Sequence, residues 1–205
     1  MTIWAIVPVK PLRLGKSRLS GVLSDIERAV LNQTFLKQTL NVILKTPVIS
    51  QTLVISRDPS ALSIAREMGA KTILEDGNPN LNNALTRASK LALKYATRGV
   101  VILPADLPLL TREDLASFLS QIPAPPCVLI TPDRHQNGTN ALLMAPAGLI
   151  NFDFGPGSFS KHCELAQKAN AQLKIIRNSN IELDLDTPED LSLLRQIENS
   201  KMPKE

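Results

Sequence analysis

Cysteine is scarce in this chain. Cys127 and Cys163 are the only two in 205 residues, too few for a disulfide framework and without the paired spacing of a zinc site. They read as two reduced, partly buried thiols of a cytosolic protein. Aromatic residues are scarce too, with one Trp and one Tyr. That removes a stacking platform for bases, and no run of Lys and Arg resembles a basic arm, so nucleic acid is not an expected partner. No stretch approaches the ~18 apolar residues of a membrane span. The run Thr2–Val7 is too short for a signal h-region and is interrupted by Pro8, so cytoplasm is the expected location and no membrane partner is expected. His135 and His162 are the only histidines. Neither has a metal-ligand partner in sequence, and such residues usually sit on the surface, so neither is expected to catalyse. No Gly-x-Gly-x-x-Gly follows the first apolar run, which counts against a Rossmann dehydrogenase.

What is present is a globular composition. Hydrophobic residues make up 43% and charged residues 20%, enough for a sizeable core and too apolar for a disordered chain. The net charge of +4 is spread along the chain. It suits a protein handling anionic metabolites and equally an ordinary soluble protein. The length favours one domain.

Apolar runs alternate with helical periods. Ile3–Val9 reads as a buried strand, followed by a loop rich in Lys, Arg and Gly from Lys10 to Gly21. Ser24 opens a helix with Glu27 completing a capping box; its apolar positions are Ile26, Val30, Leu36, Leu40 and Ile43. Strands are expected at Thr52–Ser56, Lys71–Leu74 and Val100–Leu103. Helices are expected from Asp58-Pro59 to Gly69, around Ala84–Tyr95, and from Thr111 to Gln121 with Asp114 at the capping position. Further on, Val128–Thr131, Ala141–Ala145 and Leu173–Ile176 read as strands. Helices follow Ser158 and Thr187-Pro188. The pattern is that of an α/β protein, a three-layer α/β/α sandwich on a mostly parallel, doubly wound sheet. In such sheets ligands bind outside the carboxyl ends of the strands, so the residues just after each strand matter most.

After the first strand, Lys10, Arg13, Lys16 and Arg18 lie on one loop. Concentrated cations with accessible donors are what a triphosphate needs; a solvated basic loop would look the same. After the fourth strand comes Pro104-Ala105-Asp106-Leu107-Pro108. A carboxylate beyond an apolar strand, held extended by two prolines, suits Mg²⁺, which takes one or two carboxylates plus phosphates and water. The alternative is an Asp that begins a turn. In Leu183-Asp184-Leu185-Asp186-Thr187-Pro188 the two aspartates share one face of an extended segment. Asp186 could pair with Asp106 at a metal, or Asp186 or Thr187 could cap the last helix. Asn137-Gly138-Thr139-Asn140 and Phe154-Gly155-Pro156-Gly157-Ser158-Phe159 offer amides and hydroxyls to an anion, or are plain turns. Asn82 could read a base edge or cap a helix.

Taken together, Pro8-Val9-Lys10, Lys16-Ser17-Arg18-Leu19, Leu81-Asn82-Asn83-Ala84, Pro104-Ala105-Asp106-Leu107-Pro108, Gly138-Thr139-Asn140-Ala141, Phe154–Phe159 and Asp184-Leu185-Asp186-Thr187-Pro188 resemble the 2-phospho-L-lactate guanylyltransferase family. That family includes phosphoenolpyruvate guanylyltransferases and serves biosynthesis of the deazaflavin coenzyme F(420). The resemblance spans roughly residues 3–197. It implies a fold like the nucleotide-diphospho-sugar transferases, with a single nucleotidyltransferase domain over 1–199 and a short polar tail at 200–205. It implies transfer of GMP from GTP to a phosphorylated three-carbon acid (2-phospho-L-lactate, phosphoenolpyruvate or 3-phosphoglycerate), with release of pyrophosphate. Mg²⁺ would be held by Asp106 and Asp186, and these with Lys10 would carry the catalysis. Lys10, Lys16, Arg18, Asn82 and Pro104 match the nucleotide site, and Thr139, Gly155 and Ser158 match the acid site. The resemblance leaves room for a homo-oligomer and for hand-over of product to the next pathway enzyme. Rival readings are a nucleotidyltransferase acting on molybdopterin or a sugar phosphate, a nucleotide-sugar glycosyltransferase, and a non-enzymatic binding protein. The Val7-Pro8-Val9-Lys10 opening replaces the glycine-rich loop of molybdopterin enzymes.

Overall fold

A computed structural model describes residues 2–95 and 97–201. Seven strands form one sheet: β1 (Ile3–Val9), β2 (Ile49–Ser56), β3 (Lys71–Leu74), β4 (Gly99–Ile102), β5 (Cys127–Pro132), β6 (Thr139–Ala145) and β7 (Gln172–Ile175). Their order is β3-β2-β1-β4-β6-β5-β7. β6 pairs antiparallel with β4 and β5, and the other pairings are parallel. The sheet is therefore mostly parallel and doubly wound. The chain moves outward from β1 through β2 and β3, then returns to the other side of β1 as β4. This reversal opens a crevice where β1 and β4 end, the place such folds use for ligands.

Both faces of the sheet are covered. Ile3, Ala5 and Val7 of β1 face one way, and Trp4 and Ile6 the other, as the period of two in a strand dictates. The first set packs under α1 (Asp25–Leu44), α2 (Pro59–Glu67) and α4 (Arg112–Ser120) through Leu36, Leu40, Leu62, Leu115 and Phe118. The second packs under α3 (Leu81–Lys94) and α5 (Ser158–Lys168) through Leu85, Ala88, Ala92 and Ala166. Each fully buried Leu or Phe contributes about 1.5–3 kcal/mol, so the central strands anchor the ends that carry the cleft. Two further helices, α6 (Ser179–Glu182) and α7 (Pro188–Lys201), complete the described chain. α7 passes the expected start of the polar tail, whose residues 202–205 lie outside the described residues.

Local signals placed the helix starts well. Ser24 and Glu27 form a reciprocal capping box, as do Thr111 and Asp114, and Asp58 caps the helix that opens with Pro59. The apolar stripe expected for α1 differs. Ile26 and Val30 are 77% and 57% exposed, because the first turns of α1 do not lie over the sheet; Phe35, Leu36, Leu40 and Ile43 form its buried face. No helix among the described residues is long and apolar enough to cross a membrane. Cys127 and Cys163 are free thiols, the first buried and the second half-buried.

Candidate active site

The basic loop and the two acidic segments meet at the ends of β1 and β4. A small apolar cluster brings them together: Leu19 from the loop, Phe35 from α1, and Leu185, Leu191 and Leu194 from the last segment. With Leu19 and Leu185 buried side by side, the polar neighbours of each are forced to face one another. Lys16, held in the left-handed region at φ 58°, buries its side chain and places Nζ 3.0 Å from Asp106 Oδ2. The same ammonium donates to the carbonyl of Leu185, and the Leu185 amide donates to the Asp106 carbonyl at 3.1 Å. Arg18 donates to Asp186 Oδ2 at 2.9 Å. Asp106 and the 184–186 segment thus converge.

The last helix settles which residue caps it. Thr187 accepts from the Asp190 amide through Oγ1, and Asp190 accepts from the amides of Asp186 and Thr187. The Asp186 carboxylate is left out of the cap and is available to the cleft.

Asp184 is the carboxylate that reading by spacing underrated. It is half-buried and lines the same cleft. Its pKa is raised, chiefly by burial and then by the charge of Asp106, while a hydrogen bond from Asn140 works the other way. Asn140 Nδ2 lies 3.2 Å from Asp184 Oδ1 and also donates to the carbonyls of Ile181 and Glu182. Two carboxylates that repel one another at the end of a sheet, with only a lysine and an arginine to offset them, are suited to a divalent cation. Among the described residues no three acidic, histidine or cysteine side chains form a ready-made cage.

A cleft of about 700 Å³ runs across this junction. Lys10, Lys16, Arg18, Pro104, Asp106, Thr139, Gly155, Ser158 and Asp186 all line it. Lys10 is exposed at the end of β1. On the β2–β3 side the lining adds Arg57 and Glu75. These follow two strands directly, so the rule of inspecting each strand end contains them, although their local sequence is unremarkable.

Three expectations need revision. The Asn82 amide does not face the cleft. Its Oδ1 accepts from the Phe154 amide at 2.8 Å and its Nδ2 donates to the Phe154 carbonyl at 3.2 Å. One N–H and one lone pair of the amide are used in this way, so Asn82 ties α3 to the glycine-rich turn. The amides of Asn137 and Gly138 are likewise taken, donating to the Asp133 carboxylate at 2.8 Å each. A β-carbon at Gly138 would lie 2.7 Å from that carboxylate, so a larger residue there would have to displace the Asp133 side chain. In the other turn the amides of Ser158 and Phe159 donate to the carbonyls of Gly155 and Asn137. The hydroxyls of Thr139 and Ser158 remain on this side as anion donors, as do the amides of Gly155 and Gly157, which have no acceptor among the described residues. Gly155 and Gly157 hold the turn at φ 131° and 73°, conformations that side chains rarely adopt.

His162 is not on the surface. It is fully buried behind Thr139, with Nδ1 3.0 Å from Thr139 Oγ1 and Nε2 3.1 Å from the Asp153 amide.

Sheet order, crevice and cleft together define a nucleotidyltransferase-type α/β fold. Solved structures agree. A nucleotidyl transferase from Methanothermobacter matches with a TM-score of 0.71 at 12% identity, covering 98% of this chain and 99% of that one. A protein from Desulfovibrio desulfuricans, provisionally described as a nucleotide-diphospho-sugar transferase, matches with a TM-score of 0.78 at 17% identity, covering 97% and 89%.

Residues 3–203 match the family described as guanylyl transferase CofC like, and the chain belongs to that family. It is 40% identical over 194 residues to a phosphoenolpyruvate guanylyltransferase of Rubrobacter xylanophilus, covering 95% of this chain and 94% of that protein. It is 32% identical over 199 residues to a 2-phospho-L-lactate guanylyltransferase of Methanobrevibacter ruminantium, covering 92% and 83%. The chain is a nucleotidyltransferase.

Proposed function

We propose that this enzyme transfers GMP from GTP to the phosphate of phosphoenolpyruvate or 2-phospho-L-lactate, in coenzyme F(420) biosynthesis in the cytoplasm. The observation that carries the reading is the meeting of Lys16, Asp106 and the Asp184–Asp186 segment at the ends of β1 and β4, inside one cleft. The names of the relatives supply the guanylyl group and the class of acid. Phosphoenolpyruvate is favoured by the 40% match.

Asp106 and Asp186 are the residues that would hold Mg²⁺, with the Asp184 carboxylate adding negative charge to the same cleft. When bound, the cation would neutralise triphosphate charge and increase the electrophilicity of the α-phosphorus. Lys10, exposed beside this junction, binds the phosphates electrostatically through its ammonium, and Arg18 lends a guanidinium contact. Lys16 holds Asp106 and the Leu185 backbone in register, so the carboxylates keep their spacing. The acceptor's phosphate dianion is itself a nucleophile. One of its oxygens bonds to the α-phosphorus, the bond to the bridging oxygen breaks, and pyrophosphate leaves. No side chain has to remove a proton. Catalysis is then positioning and charge neutralisation.

Pyrophosphate release tests the reading, with GTP, ATP and CTP each offered against phosphoenolpyruvate, 2-phospho-L-lactate and 3-phosphoglycerate. Release with GTP and one of the first two acids, abolished by chelation and restored by Mg²⁺, is expected. Release with a sugar phosphate alone would overturn the assignment.

A further inference from the structure

Both ring nitrogens of the buried His162 are engaged, and their partners fix where its proton lies. The Asp153 backbone N–H, 3.1 Å from Nε2, can only donate. Nε2 must therefore accept, and the single proton of the neutral ring resides on Nδ1. Burial is the main cause that holds the pKa down to about 4, so the ring is neutral at neutral pH. Nδ1–H accordingly donates to Thr139 Oγ1 at 3.0 Å. The Phe154 ring stands edge-on to the imidazole with centroids 4.8 Å apart, which helps to fix its plane.

The hydroxyls can then be counted. Ser158 Oγ lies 3.2 Å from Thr139 Oγ1. The pair carries two protons, and one is used between them. The second cannot return to His162, whose Nδ1 is already a donor, and among the described residues neither hydroxyl has another acceptor. Both residues line the cleft. The pair is nearly buried, with Ser158 1% and Thr139 7% exposed, and the remaining proton has no protein acceptor among the described residues, which leaves it free for an oxygen brought in from the cleft. With the opposite tautomer Thr139 would donate to the ring, Ser158 would donate to Thr139, and the pair would turn lone pairs towards an incoming anion.

We propose that His162 is a positioning residue: locked by the Asp153 amide, it polarises the Thr139–Ser158 hydroxyl pair so that the pair donates a hydrogen bond to an anionic oxygen of the acceptor acid. This rests on reading that side of the cleft as the acid site.

Three His162 variants test it, together with Thr139→Val alone and combined with His162→Gln. His162→Gln keeps an acceptor near Nε2 for Asp153 and loses the donor to Thr139. His162→Asn puts an amide donor near Nδ1. His162→Phe keeps the volume alone. Binding of phosphoenolpyruvate and of 2-phospho-L-lactate is measured by calorimetry, and KM for each acid and for GTP by turnover. Removing the His162 Nδ1–H leaves both hydroxyls but frees a Thr139 lone pair, so the pair is no longer oriented towards the cleft; loss of that oriented donor to a charged oxygen is worth up to about tenfold. His162→Gln and His162→Phe should weaken the acid about tenfold and change KM for GTP less than about twofold. His162→Asn should retain most acid affinity. Thr139→Val should weaken the acid similarly, and adding His162→Gln to it should cost little more, because both act through one hydrogen bond. In wild-type protein, the ¹⁵N spectrum of one of the two histidines should show the neutral Nδ1–H tautomer. An Nε2–H tautomer, equal losses for GTP and acid, or an Asn variant no better than Gln overturns the role. If Thr139→Val weakens the acid and His162→Gln does not, the role of His162 falls alone. If Thr139→Val leaves acid binding unchanged, the acid site is misplaced and the role falls with it.

Discussion

Lys16 Nζ lies 3.0 Å from Asp106 Oδ2, across 90 residues of sequence, with the lysine side chain only 3% exposed. A lysine buried this far needs its charge answered, and here a carboxylate and the Leu185 carbonyl answer it. The pair ties the loop after β1 to the loop after β4. Lys16 thus belongs to the scaffold of the site as much as to the proposed phosphate-binding surface.

Lys16→Met should therefore destabilise the protein, not merely weaken GTP. Breaking a fully buried pair costs about 3–5 kcal/mol. Asp106 is partly exposed, and solvent screening lowers the expected loss to about 1–2 kcal/mol. Urea unfolding checks this. Added Mg²⁺ should restore part of the loss, because it offers Asp106 and Asp184 another counter-charge. A variant as stable as wild type without Mg²⁺ would contradict the scaffold role.

The loss of Asp184 should have the opposite effect on stability. Its folded pKa is raised by burial and by Asp106. A carboxyl with a raised folded pKa favours the fold at low pH, and that favour is lost as pH rises through the folded pKa. Wherever Asp184 is ionised in the folded state it is a burden on stability. Asp184→Asn should raise Tm by a few degrees at pH 7, with the gain shrinking towards pH 4. The same change should cut turnover by about 100-fold, as should Asp106→Asn and Asp186→Asn, because each removes charge from the proposed metal site. Calorimetry at several pH values and initial rates at saturating Mg²⁺ measure both effects.

What sequence could and could not reveal follows from range. The capping boxes at Ser24–Glu27 and Thr111–Asp114 are made within three residues, so side-chain type and spacing suffice to read them. The strand ends that carry Lys10 and Asp106 follow from apolar runs and a topological rule. The partners of Asn82, Lys16 and Arg18 lie 72, 90 and 168 residues away, and nothing local specifies them. Asp184 and Asp186 alternate identically with leucine; only packing beside Asn140 and Asp106 makes the first a buried carboxylate. His162 reads as a surface residue because its partners are a backbone amide and a hydroxyl, which leave no pattern.

Asn82→Ala should affect the acid and not the base. The substitution leaves the Phe154 N–H and carbonyl without their partner, at about 1–3 kcal/mol for an unsatisfied buried group, and loosens the turn that carries Gly155 and Ser158. KM for the acid should rise severalfold, with the preference for GTP over ATP unchanged. A shift in nucleotide preference would return Asn82 to the base site.

Lys10→Ala separates an exposed functional cation from a structural one. Lys10 lines the cleft from the end of β1 and is exposed, so its removal should change stability by less than about 0.5 kcal/mol. kcat/KM for GTP should fall at least about tenfold, as expected for one charge-assisted contact to a phosphate. Unchanged GTP kinetics would make this loop a solvated surface.

The buried histidine gives the fold a distinctive acid sensitivity. His162 has a folded pKa of about 4, mainly through burial, against about 6.5 in an unfolded chain. Below pH 6.5 the unfolded state gains a proton that the folded state refuses. Stability is therefore fully present above pH 6.5 and is lost progressively as pH falls towards 4. At about 1.4 kcal/mol for each unit, the total for this residue is of the order of 3 kcal/mol. Carboxylates contribute their own slopes in the same range, so the test is a difference. Unfolding free energies of wild type and His162→Gln are measured in parallel from pH 7.5 to pH 4. Both variants share the carboxylates, and the glutamine cannot titrate. The wild type should lose up to about 3 kcal/mol more than the variant over this window, with most of the divergence below pH 6. Parallel curves would mean that His162 accepts a proton in the folded state, and its Nε2 would then no longer be held as an acceptor by the Asp153 amide.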